Sequence, residues 1–191
     1  MAGWRSFFAV ELSAEIAVGV RKIQGALKER ATGVRWVRPE GIHLTLKFLG
    51  EVEPDRIEGI VHKAEEVIQG VNPFSVRIRG GGGFPAAKNP RVIWIGVEDH
   101  SGMLKQLQTR IEAGMAELGF TQEKRGFTPH LTVGRLRSGK GSKTVAQAID
   151  AIKTSDLGSM EVREIILFRS LLMPAGAVYT KLHSFPLRVV S

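Results

Sequence analysis

The stretch Ile42-His43-Leu44-Thr45-Leu46-Lys47-Phe48-Leu49 sets Ile42, Leu44, Leu46 and Phe48 in alternation with His43, Thr45 and Lys47, the period-two pattern of a half-buried β-strand. On such a strand His43 and Thr45 share one face, and parity adds Lys47 to it. The tetrapeptide His43-Leu44-Thr45-Leu46 then returns as His130-Leu131-Thr132-Val133. There Leu131 and Val133 alternate with His130, Thr132 and Gly134, so His130 and Thr132 again share a face. Pro129, just ahead, fits a strand start or an edge. A single unit of this kind reads as an ordinary strand histidine. Two of them, on strands of like pattern in opposite halves of a 191-residue chain, predict a duplicated architecture.

The segments around the motifs follow a loosely repeated plan. Arg5 to Leu12 is apolar on both faces, as in a central strand. Ser13 then caps a helix whose stripe is Ile16, Val20, Ile23 and Leu27, ending before Gly33. The first motif strand follows, entered through Pro39-Glu40-Gly41. Pro54-Asp55 opens a second helix with Ile57, Ile60, Val61, Ala64 and Ile68 on its apolar side, stopped by Gly70. Phe74 to Arg79 reads as a strand, Gly80 to Asn89 as a loop and Arg91 to Val97 as a strand. In the second half a helix carries Met103, Leu104, Leu107, Ile111, Met115 and Leu118, closed by Gly119. After the His130 strand come a polar loop, Arg137 to Ser142, a helix from about Lys143 to Lys153, and strands over Met160 to Leu172 and Val178 to Leu187.

Strands and helices intermix without a regular βαβ series or a nucleotide fingerprint. The expected fold is therefore α+β and bilobed, one domain over residues 1–191 with one motif in each half. Two pseudo-twofold-related lobes of antiparallel sheet with flanking helices would set the two imidazoles across a central groove.

Composition narrows the chemistry. Apolar residues make up 43% of the chain, enough for a core, and cysteine is absent, which removes disulfides, thiolate nucleophiles and zinc–thiolate sites. No apolar run has the length of a membrane span, and Met1-Ala2-Gly3-Trp4-Arg5 lacks a signal-peptide core and a myristoylation glycine after Met1. A cytoplasmic, soluble monomer without a membrane or obligate protein partner is expected. Lys and Arg exceed Asp and Glu, 27 to 19, for a net charge of +8, which suits an anionic partner such as nucleic acid or simply a basic solvated surface. Gly80-Gly81-Gly82-Gly83 lacks the Gly-Lys-Ser/Thr ending of a phosphate loop and reads as a turn. His62, His100 and His183 read as solvated or structural.

Two imidazoles facing one substrate can supply a base and an acid, because histidine titrates near neutrality. Hydrolysis of a phosphodiester needs a proton taken from the attacking oxygen, a proton given to the leaving oxygen, and stabilisation of charge on phosphoryl oxygens. Thr45 and Thr132 can donate hydrogen bonds to those oxygens, and Arg135, directly after the second motif, adds a forked cation. His-x-His, His-Glu-x-x-His and a carboxylate cluster are missing, so no metal and no cofactor are expected. Trp36, Lys47 and Phe84 complete the groove candidates, Trp36 reading more as core or rim packing. The two strands are alike, so the residues alone leave open which histidine is the acid.

Trp36-Val37-Arg38-Pro39-Glu40-Gly41-Ile42-His43-Leu44-Thr45-Leu46-Lys47-Phe48-Leu49-Gly50-Glu51 and Phe127-Thr128-Pro129-His130-Leu131-Thr132-Val133-Gly134-Arg135 resemble the paired signatures of the two-histidine phosphoesterases, in particular the RNA 2′,3′-cyclic phosphodiesterase branch, historically 2′-5′ RNA ligase. The likeness extends to Arg5–Val10, Pro90–Trp94 and Leu172–Tyr179. It implies hydrolysis of a terminal 2′,3′-cyclic phosphate on RNA to a 2′-phosphate without metal, with His43 as donor to the leaving 3′ oxygen, His130 as acceptor, and Thr45 and Thr132 on the phosphate. Ligation of RNA ends through a 2′-5′ linkage would be a secondary, reverse activity. Small nucleotide cyclic phosphates stay open as substrates beside RNA ends.

Overall fold

A computed structural model describes residues 3–136, 142–173 and 176–188. Met1, Ala2, all but the last residue of the expected polar loop at 137–142, and Pro174 and Ala175 lie outside the described residues.

Strand β1 (Trp4–Val10) leads into helix α1 (Ala14–Arg30), where the Ser13 hydroxyl accepts from the Ile16 amide at 3.3 Å and so caps an otherwise unpaired N–H. Short β2 (Val34–Trp36) and a 3-10 turn at Pro39–Gly41 precede β3 (Leu44–Val52) and α2 (Ile57–Ile68). The second half runs β4 (Phe74–Phe84), β5 (Val92–Glu98), α3 (Met103–Glu117), β6 (His130–Leu136), α4 (Ser142–Ile152), β7 (Asp156–Val162), β8 (Glu164–Met173) and β9 (Gly176–Pro186). The strands form one antiparallel sheet in the order β7-β4-β5-β6-β3-β1-β8-β9, with β2 on β6.

The motif strands β6 and β3 meet at the middle of that order, with four strands on each side of their junction, joined by the single pair Leu44↔Leu131. Beyond it β6 pairs with β2 and β3 with β1, so the two half-sheets part there and a groove opens between them. The sheet must also curl. Strands β7 and β8 stand six places apart, roughly 29 Å in a flat sheet, yet only Arg163 separates them, a chain reach of about 7 Å.

One face of the sheet carries the main core, with Phe8, Val10, Leu44, Leu46, Ile93, Ile95, Leu131 and Val133 packed against the helices. A smaller cluster, Phe7, Ala9, Ile166 and Phe168 with Tyr179 against it, lies on the groove side of β1, β8 and β9. Among the described residues no helix is long and apolar enough to cross a membrane.

Four expectations need correction. The glycine run is strand, not loop: β4 continues to Phe84, and Gly81, Gly82 and Gly83 pair with Ile95, Trp94 and Ile93. A Cβ on Gly82 would sit 2.3 Å from the Trp94 ring and one on Gly81 2.3 Å from Ile152, so these glycines let large side chains lie flat on the strand. Met160 to Leu172 is two strands on opposite halves of the sheet, parted at Arg163. On α1 the third buried position is Gln24, with Ile23 only half-buried. Lys47 does not share the His43 face, for a reason that belongs to the site.

Candidate active site

Each motif strand carries a β-bulge three residues after its histidine. Against β1, Thr45 pairs with Ala9 and Lys47 with Phe8, leaving Leu46 as the extra residue. Against β5, Thr132 pairs with Trp94 and Gly134 with Ile93, leaving Val133 as the extra residue. A bulge reverses the parity of all that follows. Lys47 therefore turns to the core face, where it is 4% exposed, and Phe48 turns to the groove, where it is 59% exposed. By the same shift Arg135, paired with Val92, lies on the face of Thr132, paired with Trp94. Phe48 and Arg135 thus occupy equivalent places, five residues beyond His43 and His130.

The Leu44↔Leu131 pair fixes the rest. In antiparallel strands centred on it, His43 stands across from Thr132 and Thr45 across from His130, all on the groove side, while both leucines enter the core. The sequence-predicted residues His43, Thr45, His130, Thr132 and Arg135 are thereby brought to one surface. Phe84 joins them, its ring 5.0 Å from and nearly perpendicular to that of His130, with Trp94 behind it at 5.3 Å. Trp36 does not, since it packs against the main core over Gly134. Phe48 and Tyr179 are the groove aromatics that the alternating pattern failed to disclose.

Both imidazoles are held from behind in the same way. His130 Nδ1 lies 2.7 Å from the Thr128 carbonyl, and His43 is hydrogen bonded to the Gly41 backbone, in each case two residues earlier. A ring N–H donated to a carbonyl fixes the tautomer and leaves the other nitrogen of a neutral ring as an acceptor. His43 is stacked 4.7 Å from Phe7 and has Tyr179 edge-on at 5.1 Å. Burial among these rings lowers its pKa from 6.5 to about 4, against the opposing pull of the Gly41 carbonyl. Burial also lowers that of His130, the Thr128 carbonyl opposes this, and the positive Arg135 adds to it. The free groove therefore presents two neutral imidazoles at neutral pH, beside a cation. An anion bound between them would favour protonation of either.

Each motif strand is pinned by the helix of the other half. Buried Gln24 on α1 donates to the Val37 carbonyl at 2.7 Å and the bulged Val133 carbonyl at 3.0 Å, tying the approach to the first motif to the end of the second. Lys47 Nζ bonds Glu112 on α3 at 2.6 Å and the Thr121 carbonyl at 3.0 Å. Polar residues in these inward positions are satisfied, as burial demands. Among the described residues no three His, Cys, Asp or Glu side chains gather as metal ligands.

A duplicated site implies a duplicated chain, and the comparison with known families agrees. A family model described as LigT like Phosphoesterase matches twice, over residues 10–94 and again over 95–179, one motif in each. The chain belongs to the LigT-like phosphoesterases. It is 37% identical over 183 residues to an RNA 2′,3′-cyclic phosphodiesterase of Methanothermobacter thermautotrophicus, covering 96% of this chain and 98% of that protein. One from Archaeoglobus fulgidus is also 37% identical, with 95% and 99% covered. Among solved structures, TT0787 of Thermus thermophilus superposes with a TM-score of 0.79 at 30% identity, covering 96% of this chain and 98% of that one. E. coli LigT complexed with 3′-AMP does so at 0.77 and 26%, covering 97% and 98%. This LigT-like phosphoesterase has the α+β fold of two related half-sheets that its motifs predict.

Proposed function

We propose that the groove hydrolyses a 2′,3′-cyclic phosphate at the end of an RNA chain to a 2′-phosphomonoester, using the two histidines and no metal. The observation that carries this reading is the antiparallel meeting at Leu44↔Leu131, which sets two imidazoles and two threonine hydroxyls on one face in diagonal pairs. The relatives named RNA 2′,3′-cyclic phosphodiesterase supply the substrate class.

In the proposed step a water oxygen attacks phosphorus and His130 accepts its proton. The bond from phosphorus to the 3′ oxygen breaks as His43 donates a proton to that oxygen, leaving a 3′-hydroxyl and a 2′-phosphate. Thr45 and Thr132 donate to the non-bridging oxygens, and Arg135 offsets charge that builds on them. The negative phosphate is what charges His43, which burial keeps neutral in the empty groove. An RNA 5′-hydroxyl in place of water would open the ring in the same direction and leave a 2′-5′ linkage, with His130 accepting the proton of the 5′-hydroxyl and His43 again donating to the departing 3′ oxygen.

The test is incubation of an RNA ending in 2′,3′-cyclic phosphate with the protein in a chelator, then identification of the product. A 2′-phosphate is expected. A 3′-phosphate would reverse which oxygen is protonated, and turnover that needs an added divalent ion would overturn the two-histidine mechanism.

A further inference from the structure

Tyr179 stands on β9 in register with Ser170 of β8, which is itself in register with Arg5 of β1. Residues directly opposite each other in antiparallel strands share a face, so this rung lies with Phe7 and Phe168 on the groove side. In the sheet order β9 is three places from β3, roughly 14 Å in a flat sheet. The curl instead brings the Tyr179 ring edge-on to His43 at 5.1 Å and to Phe7 at 5.3 Å. Its Cε2, the carbon beside the one that bears the hydroxyl, meets Gly41 so closely that a Cβ on that glycine would lie 3.0 Å away. Gly41 is also the backbone partner of the His43 imidazole. The hydroxyl end of the tyrosine therefore lies where His43 is anchored. Among the described residues that hydroxyl has no hydrogen-bond partner in the protein. Burial raises its pKa and the charges of Arg135 and Arg5 oppose this, so the phenol keeps its proton at neutral pH within the field of two cations.

We infer that Tyr179 is a further catalytic residue, whose hydroxyl donates a hydrogen bond to a non-bridging oxygen of the bound phosphate while its ring holds the His43 imidazole against Gly41. This role rests on the reading of the groove as a site for cyclic phosphates. A neutral donor fixed by packing is already in place when charge builds on that oxygen, so it needs no reorganisation during the reaction. The other imidazole has a similar neighbour without the donor, since Phe84 stands edge-on to His130 at 5.0 Å. Both histidines are thus braced by an aromatic edge, and the hydroxyl belongs to the His43 side alone.

The experiment separates hydroxyl from ring. Tyr179→Phe removes only the donor. On an RNA ending in 2′,3′-cyclic phosphate its kcat should fall about 10²-fold, and its affinity for inorganic phosphate about tenfold. The His43 titration, read by NMR of the imidazole protons, should stay where it is in wild type. Tyr179→Ala removes the ring as well, so the His43 pKa should rise from about 4 toward 6.5 as water reaches the imidazole. If wild type turns over and Tyr179→Phe matches it in both kcat and phosphate affinity, the donor is refuted and the groove reading stands. An unmoved His43 titration in Tyr179→Ala refutes the bracing. If wild type hydrolyses no cyclic phosphate yet Tyr179→Phe still binds phosphate more weakly, the groove reading falls and the contact from Tyr179 to phosphate stands.

Discussion

Replacement of His43 by Gln removes a buried titrating group, and its effect on stability should depend on pH in a calculable way. Burial against Phe7, Phe168 and Tyr179 holds the folded-state pKa at about 4, whereas the unfolded chain titrates near 6.5. The unfolded state therefore binds the extra proton first as pH falls. The stability that neutral His43 contributes is fully present above about pH 6.5 and is lost as pH falls through about 4. At about 1.4 kcal/mol per tenfold, the loss is about 2 kcal/mol by pH 5 and reaches about 3 kcal/mol near pH 4. Other groups titrate over that range too, so the quantity to measure is a difference. Urea unfolding of wild type and His43→Gln at pH 7.5 and at pH 5 gives it, since contributions common to both cancel. Wild type should lose about 2 kcal/mol more than the variant between those two pH values. A difference that stays constant within about 0.5 kcal/mol would mean that His43 is as well solvated folded as unfolded, and the account of a neutral imidazole in the empty groove would fail. Saturating inorganic phosphate should move the His43 titration upward, read by NMR of the imidazole protons.

The catalytic predictions follow from the same groups. His43→Ala or His130→Ala should lower kcat by about 10² to 10⁴ with unfolding still cooperative; near-wild-type turnover in either would remove that histidine from the mechanism. The pH profile of kcat should have its basic limb at higher pH than that of kcat/KM, because bound phosphate favours the imidazolium; coincident limbs would refute this. Lys47→Met strands Glu112 beneath β3 and should cost about 3–5 kcal/mol by urea unfolding, most of it recovered in Lys47→Met/Glu112→Leu. Gly82→Ala pushes a methyl into the Trp94 ring and should cost about 1–3 kcal/mol, with a fall in kcat because Trp94 backs the wall at His130.

The catalytic candidates were legible because each motif is a local pattern repeated. His43, Thr45, His130 and Thr132 stand on the same face in strand and in structure, and the helix that Ser13 opens needs only its own hydroxyl and stripe. Parity held as far as Thr45 and failed at Lys47, because the bulge at Leu46 is defined by the hydrogen bonds of β1, which the sequence of β3 does not contain. The same device brought Arg135 into the groove after strict alternation would have sent it to the core. Gly81, Gly82 and Gly83 looked like a turn because glycine commonly ends strands, whereas here Ile152, Trp94 and Pro90 in turn require their missing side chains. Gln24 was left out of the stripe read for α1, because the Val37 and Val133 carbonyls that satisfy it in the core belong to other elements.

By itself the sequence determined two strands with a histidine and a threonine on one face, the helices that flank them and the duplication that relates them, since all of these depend on neighbours a few residues away. The tertiary structure alone decided that the strands meet at Leu44 and Leu131, that Phe48 rather than Lys47 faces the groove, and that both histidines are neutral when it is empty. Register is set by hydrogen bonds to a partner strand, and desolvation by rings brought in from β1, β8 and β9. Neither is encoded in the residues adjacent to the motif.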